Sequence, residues 1–114
     1  MVKRAIDLIH AYPEKHWSTA ELARATGVSA RAIQKAFHRA DEPPPMTYLR
    51  RLRLHRVRAD LAGGIPGSVT VTAVASSWGF LHLGRFAAQY RELFGESPSD
   101  TLRAGFSQSP PSPR

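Results

Sequence analysis

Apolar residues recur at helical spacing along most of the chain, and glycine, proline and serine residues separate the periodic stretches. In the first part, Ser18 and Glu21 form a capping-box pattern, and Ser29 has the residue type and position of a second N-cap. These signals, with Pro13 and Gly27 as breaks, predict three helices. Their expected ranges are residues 2–12, 19–26 and 30–40.

The second part of the chain shows the same alternation of periodic stretches and breaks. The run Pro43–Pro45 allows a long helix to begin there, because proline is tolerated in the first helical turn. The segment Val69–Thr72 alternates like a strand but has no partner strand, so we interpret it as the start of a helix capped by Thr70 or Thr72. The expected helices cover about residues 45–62, 73–78, 81–94 and 97–104. Residues 105–114 are rich in serine and proline and are expected to be disordered.

Two segments, one around Gly27 and one around Gly79, share a single pattern. In each, an alanine (Ala23 or Ala75) lies four residues before the glycine, and an apolar residue follows it. The small alanine lets two helices approach closely, and the glycine supplies the positive φ of a tight turn. This pattern is typical of a helix-turn-helix, with a plain helical bundle as the alternative. The following helices carry the apolar pairs Ile33 with Phe37 and Phe86 with Tyr90.

The chain is strongly basic. Its 114 residues include 16 Lys and Arg against 9 Asp and Glu, a formal net charge of +7, and most of the excess lies in residues 1–61. A small basic domain indicates a polyanionic partner such as DNA, RNA or an anionic membrane surface. No apolar run approaches the roughly 18 residues of a membrane span, and we expect no membrane partner. The densest basic cluster consists of Arg50, Arg51, Arg53, Arg56 and Arg58.

The residue types that most enzymes and metal sites need are missing or badly spaced. The chain has no cysteine, which excludes disulfides, thiolate metal sites and a cysteine nucleophile, and which fits a reducing cytoplasm. The five histidines lack metal-ligand spacing. Phosphate-binding glycine loops, serine-hydrolase motifs and zinc-protease motifs are absent from the sequence. We therefore expect no catalytic residues, no metal and no cofactor.

A family resemblance is carried by three segments: WSTAELARATGVSARAIQKAF, TYLRRLRLHRVRADL, and VTAVASSWGFLHLGRF followed by FGESPSDTLR. Over about residues 3–104 the sequence resembles the DNA-binding domain of the AraC/XylS family of bacterial transcription regulators. The resemblance implies an all-α, homeodomain-like fold of seven helices, in which two helix-turn-helix subdomains are joined by a long linker helix. The implied divisions are residues 1–44, the linker 45–62, residues 63–104, and a tail over 105–114.

The resemblance also implies sequence-specific binding of double-stranded DNA, with two recognition helices in successive major grooves. A linker helix of about 18 residues would be ~27 Å long, close to the ~34 Å of one DNA turn. Arg31 suits guanine and Gln34 suits adenine, whereas Gly84 and Ala88 replace polar residues of many relatives. The second helix should therefore read fewer bases. The candidate DNA contacts are Arg31, Gln34, Lys35 and His38, then Arg53 on the linker, then His82, Leu83, Gly84, Arg85, Ala88 and Gln89.

Several alternatives stay open at this point. Arg53 with Leu54 matches an Arg-Leu pair typical of the family, and Arg53 is expected either to brace the fold or to bind phosphate. The family usually adds a larger N-terminal effector-sensing domain, which we expect to be absent here, and often contacts RNA polymerase, for activation or repression. A nonspecific architectural binder would lose affinity steeply with salt. A polymerase-binding adaptor of the same fold would be unaffected by Arg31→Ala with Gln34→Ala.

Overall fold

The computed structural model describes residues 2–108, and every regular element in that range is an α-helix. The predicted all-α fold of seven helices is confirmed. None of these helices is long and apolar enough to cross a membrane. The helices are α1 (Val2–Ala11), α2 (Thr19–Thr26), α3 (Ala30–Arg39), α4 (Pro45–Ala62), α5 (Val71–Ser77), α6 (Leu83–Phe94) and α7 (Pro98–Gln108).

The chain divides into two compact units, Met1–Arg53 and Leu54–Arg114. The division falls within α4, so the predicted linker helix is shared between the units rather than standing apart from both. The physical reason is the burial of its apolar side chains: Leu49 belongs to the core of unit 1, whereas Leu54 and Val57 belong to the core of unit 2.

The core of unit 1 is built from α1, α2, α3 and the first half of α4. Ile33 and Phe37 lie one turn apart on α3 and have no exposed surface, which fixes the rotation of α3 about its axis. The Trp17 side chain closes the core and donates from Nε1 to the Tyr12 carbonyl oxygen at 3.0 Å. The other buried members of the cluster are Ala5, Ile9, Leu22, Ala23 and Leu49.

The core of unit 2 centres on two aromatic residues of α6, Phe86 and Tyr90, whose rings lie 5.8 Å apart. Tyr90 is fully buried, and its hydroxyl forms a hydrogen bond of 2.6 Å with Oγ1 of Thr101 on α7. Thr101 Oγ1 in turn donates to a carboxylate oxygen of Glu96. Burial raises the pKa of the Tyr90 hydroxyl above its ordinary value, because the charged phenolate would lose its hydration in this core.

Helix boundaries differ from the sequence predictions in the second unit. Thr70 is the N-cap of α5, which therefore begins at Val71, and α6 begins at Leu83 rather than at residue 81. Helix α7 extends to Gln108, past its expected end at residue 104, and the rest of the tail that was expected to be disordered, residues 109–114, lies outside the described range. At Gly105 a Cβ atom would lie 2.9 Å from the Ala62 Cα, so glycine is what allows α7 to continue past the end of α4.

Candidate nucleic-acid interface

The turn of the first helix-turn-helix is fixed by local hydrogen bonds. Gly27 ends α2 in the left-handed region at φ 76°. The next residue, Val28, donates its backbone N–H to the Ala23 carbonyl at 3.0 Å. Ser29 then begins α3, with its Oγ accepting the N–H of Ala32 at 3.0 Å. The glycine, the hydrogen bond across the turn and the serine cap together set the direction in which α3 leaves α2.

The second turn repeats this geometry with one additional residue. Gly79 has φ 89°, and the Phe80 N–H donates to the Ala75 carbonyl at 3.0 Å, the counterpart of the bond across the first turn. His82 occupies the N-cap position of α6 but makes no side-chain capping bond. The repeated alanine-glycine pattern of the sequence thus corresponds to the same hydrogen-bonded turn in each unit.

The exposed face of α3 carries the predicted DNA-contacting residues of the first unit. Because Ile33 and Phe37 point into the core, the positions i, i+3, i+4 and i+7 from residue 31 all face solvent. Five side chains line one open concavity of about 720 Å³ on this face: Arg31, Gln34, Lys35, His38 and Arg39. The concavity combines fixed positive charge with amide and imidazole groups that donate and accept hydrogen bonds.

Sequence reasoning missed two residues at this face. The signal for Arg39 was available, because it lies four residues after Lys35 and so shares its side of the helix. Glu42 could not be found in this way. Asp41 adopts φ 60° and turns the chain back toward α3, and the Glu42 N–H donates to the Phe37 carbonyl at 3.0 Å. A second concavity, of about 180 Å³, is lined by Gln34, His38, Glu42 and Pro44.

The beginning of α6 presents a different chemistry from the exposed face of α3. Of the six residues predicted there, only Gln89 is half-buried. Leu83 is 42% exposed even though it is a large apolar side chain. The remaining predicted residues, His82, Gly84, Arg85 and Ala88, are all exposed.

Arg53 supports the fold of unit 1, which is the first of the two alternatives that the sequence left for this side chain. Its Nε donates to the Pro13 carbonyl at 2.7 Å, and its Nη2 donates to the Lys15 carbonyl at 2.6 Å. Burial lowers the pKa of the guanidinium, as expected for a cation that has lost part of its hydration. The Nε–H and one N–H of Nη2 thus bind the loop between α1 and α2, and a DNA contact by the remaining N–H groups of Arg53 stays a prediction.

The other arginines of α4 differ in their surroundings. Arg51 and Arg58 are exposed, whereas Arg50 and Arg56 are half-buried. The guanidinium of Arg58 lies over the Phe94 ring, 4.9 Å from its centroid. Arg51 and Arg58 are thus the members of this cluster with the most surface available to a polyanion. Among residues 2–108, His, Asp and Glu side chains form no group of three that could hold a metal ion.

The helix-turn-helix geometry agrees with comparisons to known proteins. Residues 22–104 match the family model described as "Helix-turn-helix domain". A crystal structure described as a probable AraC family transcriptional regulator from Rhodopseudomonas palustris CGA009 has 40% sequence identity and a TM-score of 0.83. The alignment covers 91% of this chain and 95% of that chain.

Two curated relatives are regulators of operons. The chain is 41% identical over 103 residues to the probable thc operon regulatory protein of Rhodococcus erythropolis, covering 90% of this chain and 31% of the relative. It is 39% identical over 100 residues to XylDLEGF operon transcriptional activator 2 of Pseudomonas putida, covering 88% of this chain and 64% of the relative. The chain thus spans about a third and just under two thirds of their lengths. With the helix-turn-helix match and the structure of nearly equal length, these relatives show that the chain belongs to the AraC family of transcriptional regulators.

Proposed function

We propose that this chain binds double-stranded DNA at a specific, asymmetric sequence, with α3 and α6 entering successive major grooves, and thereby regulates transcription. The observation that carries the proposal is the exposed face of α3. There Arg31, Gln34 and Lys35 lie outward together, directly opposite the buried Ile33 and Phe37. A recognition helix needs this arrangement, because one stripe must hold the fold while the other reads base edges.

The side chains of α3 match particular base edges in the major groove. The Arg31 guanidinium can donate two parallel hydrogen bonds to O6 and N7 of guanine, and the Gln34 amide can pair with N6 and N7 of adenine. We assign Lys35 and His38 to bases or to the adjacent phosphates. The carboxylate of Glu42, at the edge of the same face, can accept a hydrogen bond from the amino group of cytosine.

The two recognition helices carry unlike side chains, so their half-sites should differ in sequence. We expect two short blocks whose centres lie about 10 base pairs apart, one helical turn of DNA. A symmetrical inverted repeat would need two identical readers. Selection of perfect inverted repeats would therefore contradict the proposal.

We further propose that the bound domain acts on transcription by activation, with RNA polymerase as its protein partner. The support for activation is the name of the Pseudomonas relative, a transcriptional activator, and RNA polymerase is the partner that we expect from the family resemblance. A reporter assay in a bacterial host, with the selected site placed upstream of a promoter, tests this. A rise in transcription supports activation, and a fall indicates repression.

The test of DNA binding is selection of bound duplexes from a random pool at ~150 mM salt, where purely electrostatic binding is weakened. An asymmetric two-block motif is the expected result. The variant Arg31→Ala with Gln34→Ala should weaken binding at least tenfold, because each good base contact contributes about 1–3 kcal/mol. Arg4→Ala, an exposed position on α1, removes the same charge and should leave the motif unchanged.

The position of each helix on the DNA can be mapped directly because the chain has no cysteine. A single introduced cysteine, Ala40→Cys after α3 or Glu92→Cys on α6, can carry an iron–EDTA cleavage reagent. Each should cut around a different block of the selected site. Binding without any preferred sequence would identify an architectural nucleic-acid binder instead, and no binding at low or moderate salt would redirect attention to a protein partner.

A further inference from the structure

The two recognition helices can be compared position by position, because their buried residues correspond. Ile33 and Phe37 of α3 match Phe86 and Tyr90 of α6: each pair is buried, four residues apart and packed on its own unit's core. This correspondence places small residues of α6 where α3 carries polar ones. Gly84 corresponds to Arg31, Ala87 to Gln34, and Ala88 to Lys35. At these three positions α6 has no hydrogen-bonding side chain, whereas His38 and Arg39 of α3 correspond to Arg91 and Glu92 of α6.

Large apolar side chains instead lie exposed at the beginning of α6. Leu81, in the turn, is 79% exposed, and Leu83, the first residue of the helix, is 42% exposed. They flank His82, whose side chain makes no capping bond. Water-exposed leucines at this position gain free energy when another apolar group covers them.

The first residues of a recognition helix are those that approach base edges in a helix-turn-helix complex. The major groove offers one apolar group on its base edges, the C5 methyl of thymine. We infer that α6 recognises thymine methyl groups through Leu83 and Leu81, so that the second half-site is read by apolar contact rather than by hydrogen bonds. The inference rests on the proposed DNA binding and names the chemistry of its second half-site.

The charge around these leucines favours DNA over a purely apolar partner. Arg85 is exposed two residues after Leu83, and Arg91 is exposed further along α6. The uncapped backbone N–H groups at the beginning of α6 add a positive partial charge beside the leucines. DNA matches both kinds of group, because its phosphates can pair with the arginines and the helix N–H groups while the thymine methyl groups in its major groove cover the leucines.

The experiment replaces thymine by deoxyuridine, which removes only the C5 methyl group, at each thymine of the selected site. Within the block cut by the Glu92→Cys reagent, at least one replacement should raise Kd for the wild-type chain about fourfold. This is the effect expected when the contact to one apolar group of CH₂ size is lost. Leu83→Ala should raise Kd on the thymine site and reduce the uridine effect to about onefold. Leu81→Ala is examined in the same way.

The matched control is Leu93→Ala, because Leu93 is an exposed leucine near the other end of the same helix, with 37% of its surface accessible. It should change neither Kd nor the uridine effect. Thermal unfolding of every variant checks that α6 is still packed. Leu83→Ala removes an exposed side chain and should leave Tm within a few degrees of the wild-type value.

Three results would overturn the inference. The first is an α6 block of the selected site with no thymine on either strand. The second is a set of uridine replacements in that block that leave Kd unchanged. The third is a uridine effect that persists unchanged in Leu83→Ala and Leu81→Ala. In each of these cases the asymmetric site and the α3 contacts stand. Failure to select any site refutes the proposed function itself, and the two failures are thereby distinguished. If the exposed leucines instead bind a protein partner, the uridine replacements will leave Kd for DNA unchanged.

Discussion

Arg53→Ala should destabilise unit 1 without removing a DNA contact. In the folded chain the Arg53 side chain leaves α4 and donates from Nε to the Pro13 carbonyl at 2.7 Å and from Nη2 to the Lys15 carbonyl at 2.6 Å. Both carbonyls lie in the loop between α1 and α2, which has no regular hydrogen-bonding ladder of its own. Alanine leaves the Pro13 carbonyl to water, leaves the Lys15 carbonyl with the backbone N–H of Trp17 at 2.7 Å, and frees the loop from α4.

The magnitude follows from the type and exposure of these bonds. A hydrogen bond from a charged donor contributes about 1.5–3 kcal/mol. The Arg53 side chain is only half-buried, so water replaces part of each lost bond. Burial also lowers the pKa of its guanidinium, which indicates that holding the charge here costs some hydration energy. We therefore expect a net loss of about 2 kcal/mol, less than two fully buried charged bonds would give.

The assay uses the fact that each unit contains one tryptophan. Trp17 belongs to unit 1 and donates to the Tyr12 carbonyl within the same loop, so its fluorescence reports on the region that Arg53 braces. Urea unfolding in a Trp78→Phe background isolates that signal. The control is Arg51→Ala, which removes a neighbouring exposed arginine of α4 and should change the free energy of unfolding by less than about 0.5 kcal/mol.

DNA binding provides the second readout. Loss of a phosphate contact should lower the slope of log K against log salt by about 1, whereas loss of a bracing residue should leave that slope unchanged once the chain is folded. The reasoning fails if Arg53→Ala changes stability by less than about 0.5 kcal/mol and also reduces the salt slope. Those two results together would indicate that Arg53 contacts DNA and does not brace the fold.

Three further predictions concern the fold. Gly27→Ala should destabilise unit 1 by about 1 kcal/mol in urea unfolding, because the residue has φ 76° and the added methyl meets no neighbour that would add to this strain. Tyr90→Phe should cost about 1 kcal/mol through loss of the buried bond to Thr101. Because burial raises the pKa of Tyr90, the stability of unit 2 should fall as pH rises above about 10, and Tyr90→Phe should remove that dependence in thermal melts at pH 9 to 11. Gly105→Ala should lower Tm and the helix signal in circular dichroism, since its Cβ would lie 2.9 Å from the Ala62 Cα; an unchanged Tm would show that α7 does not pass this close.

The sequence by itself determined the helices and the outward face of α3. Ser29 caps α3 by accepting an N–H three residues later, and Gly27 turns the chain within one residue. Interactions of this range lie inside a window of about four residues, so residue type and spacing are enough to predict them. The exposure of Arg31 and Gln34 follows in the same way, because the spacing of the buried residues on α3 leaves only one direction for polar positions.

Tertiary structure decided what depended on distant residues. The acceptors of Arg53 lie 40 and 38 residues before it in the chain, so no local pattern could choose between bracing and DNA contact. The helical continuation through Gly105 depends on its approach to Ala62, and the composition of the tail pointed the other way. Exposure of Leu83 likewise depends on where α6 begins relative to the core. Local hydrogen bonding is encoded in short stretches of sequence, whereas these contacts form only when distant segments pack together.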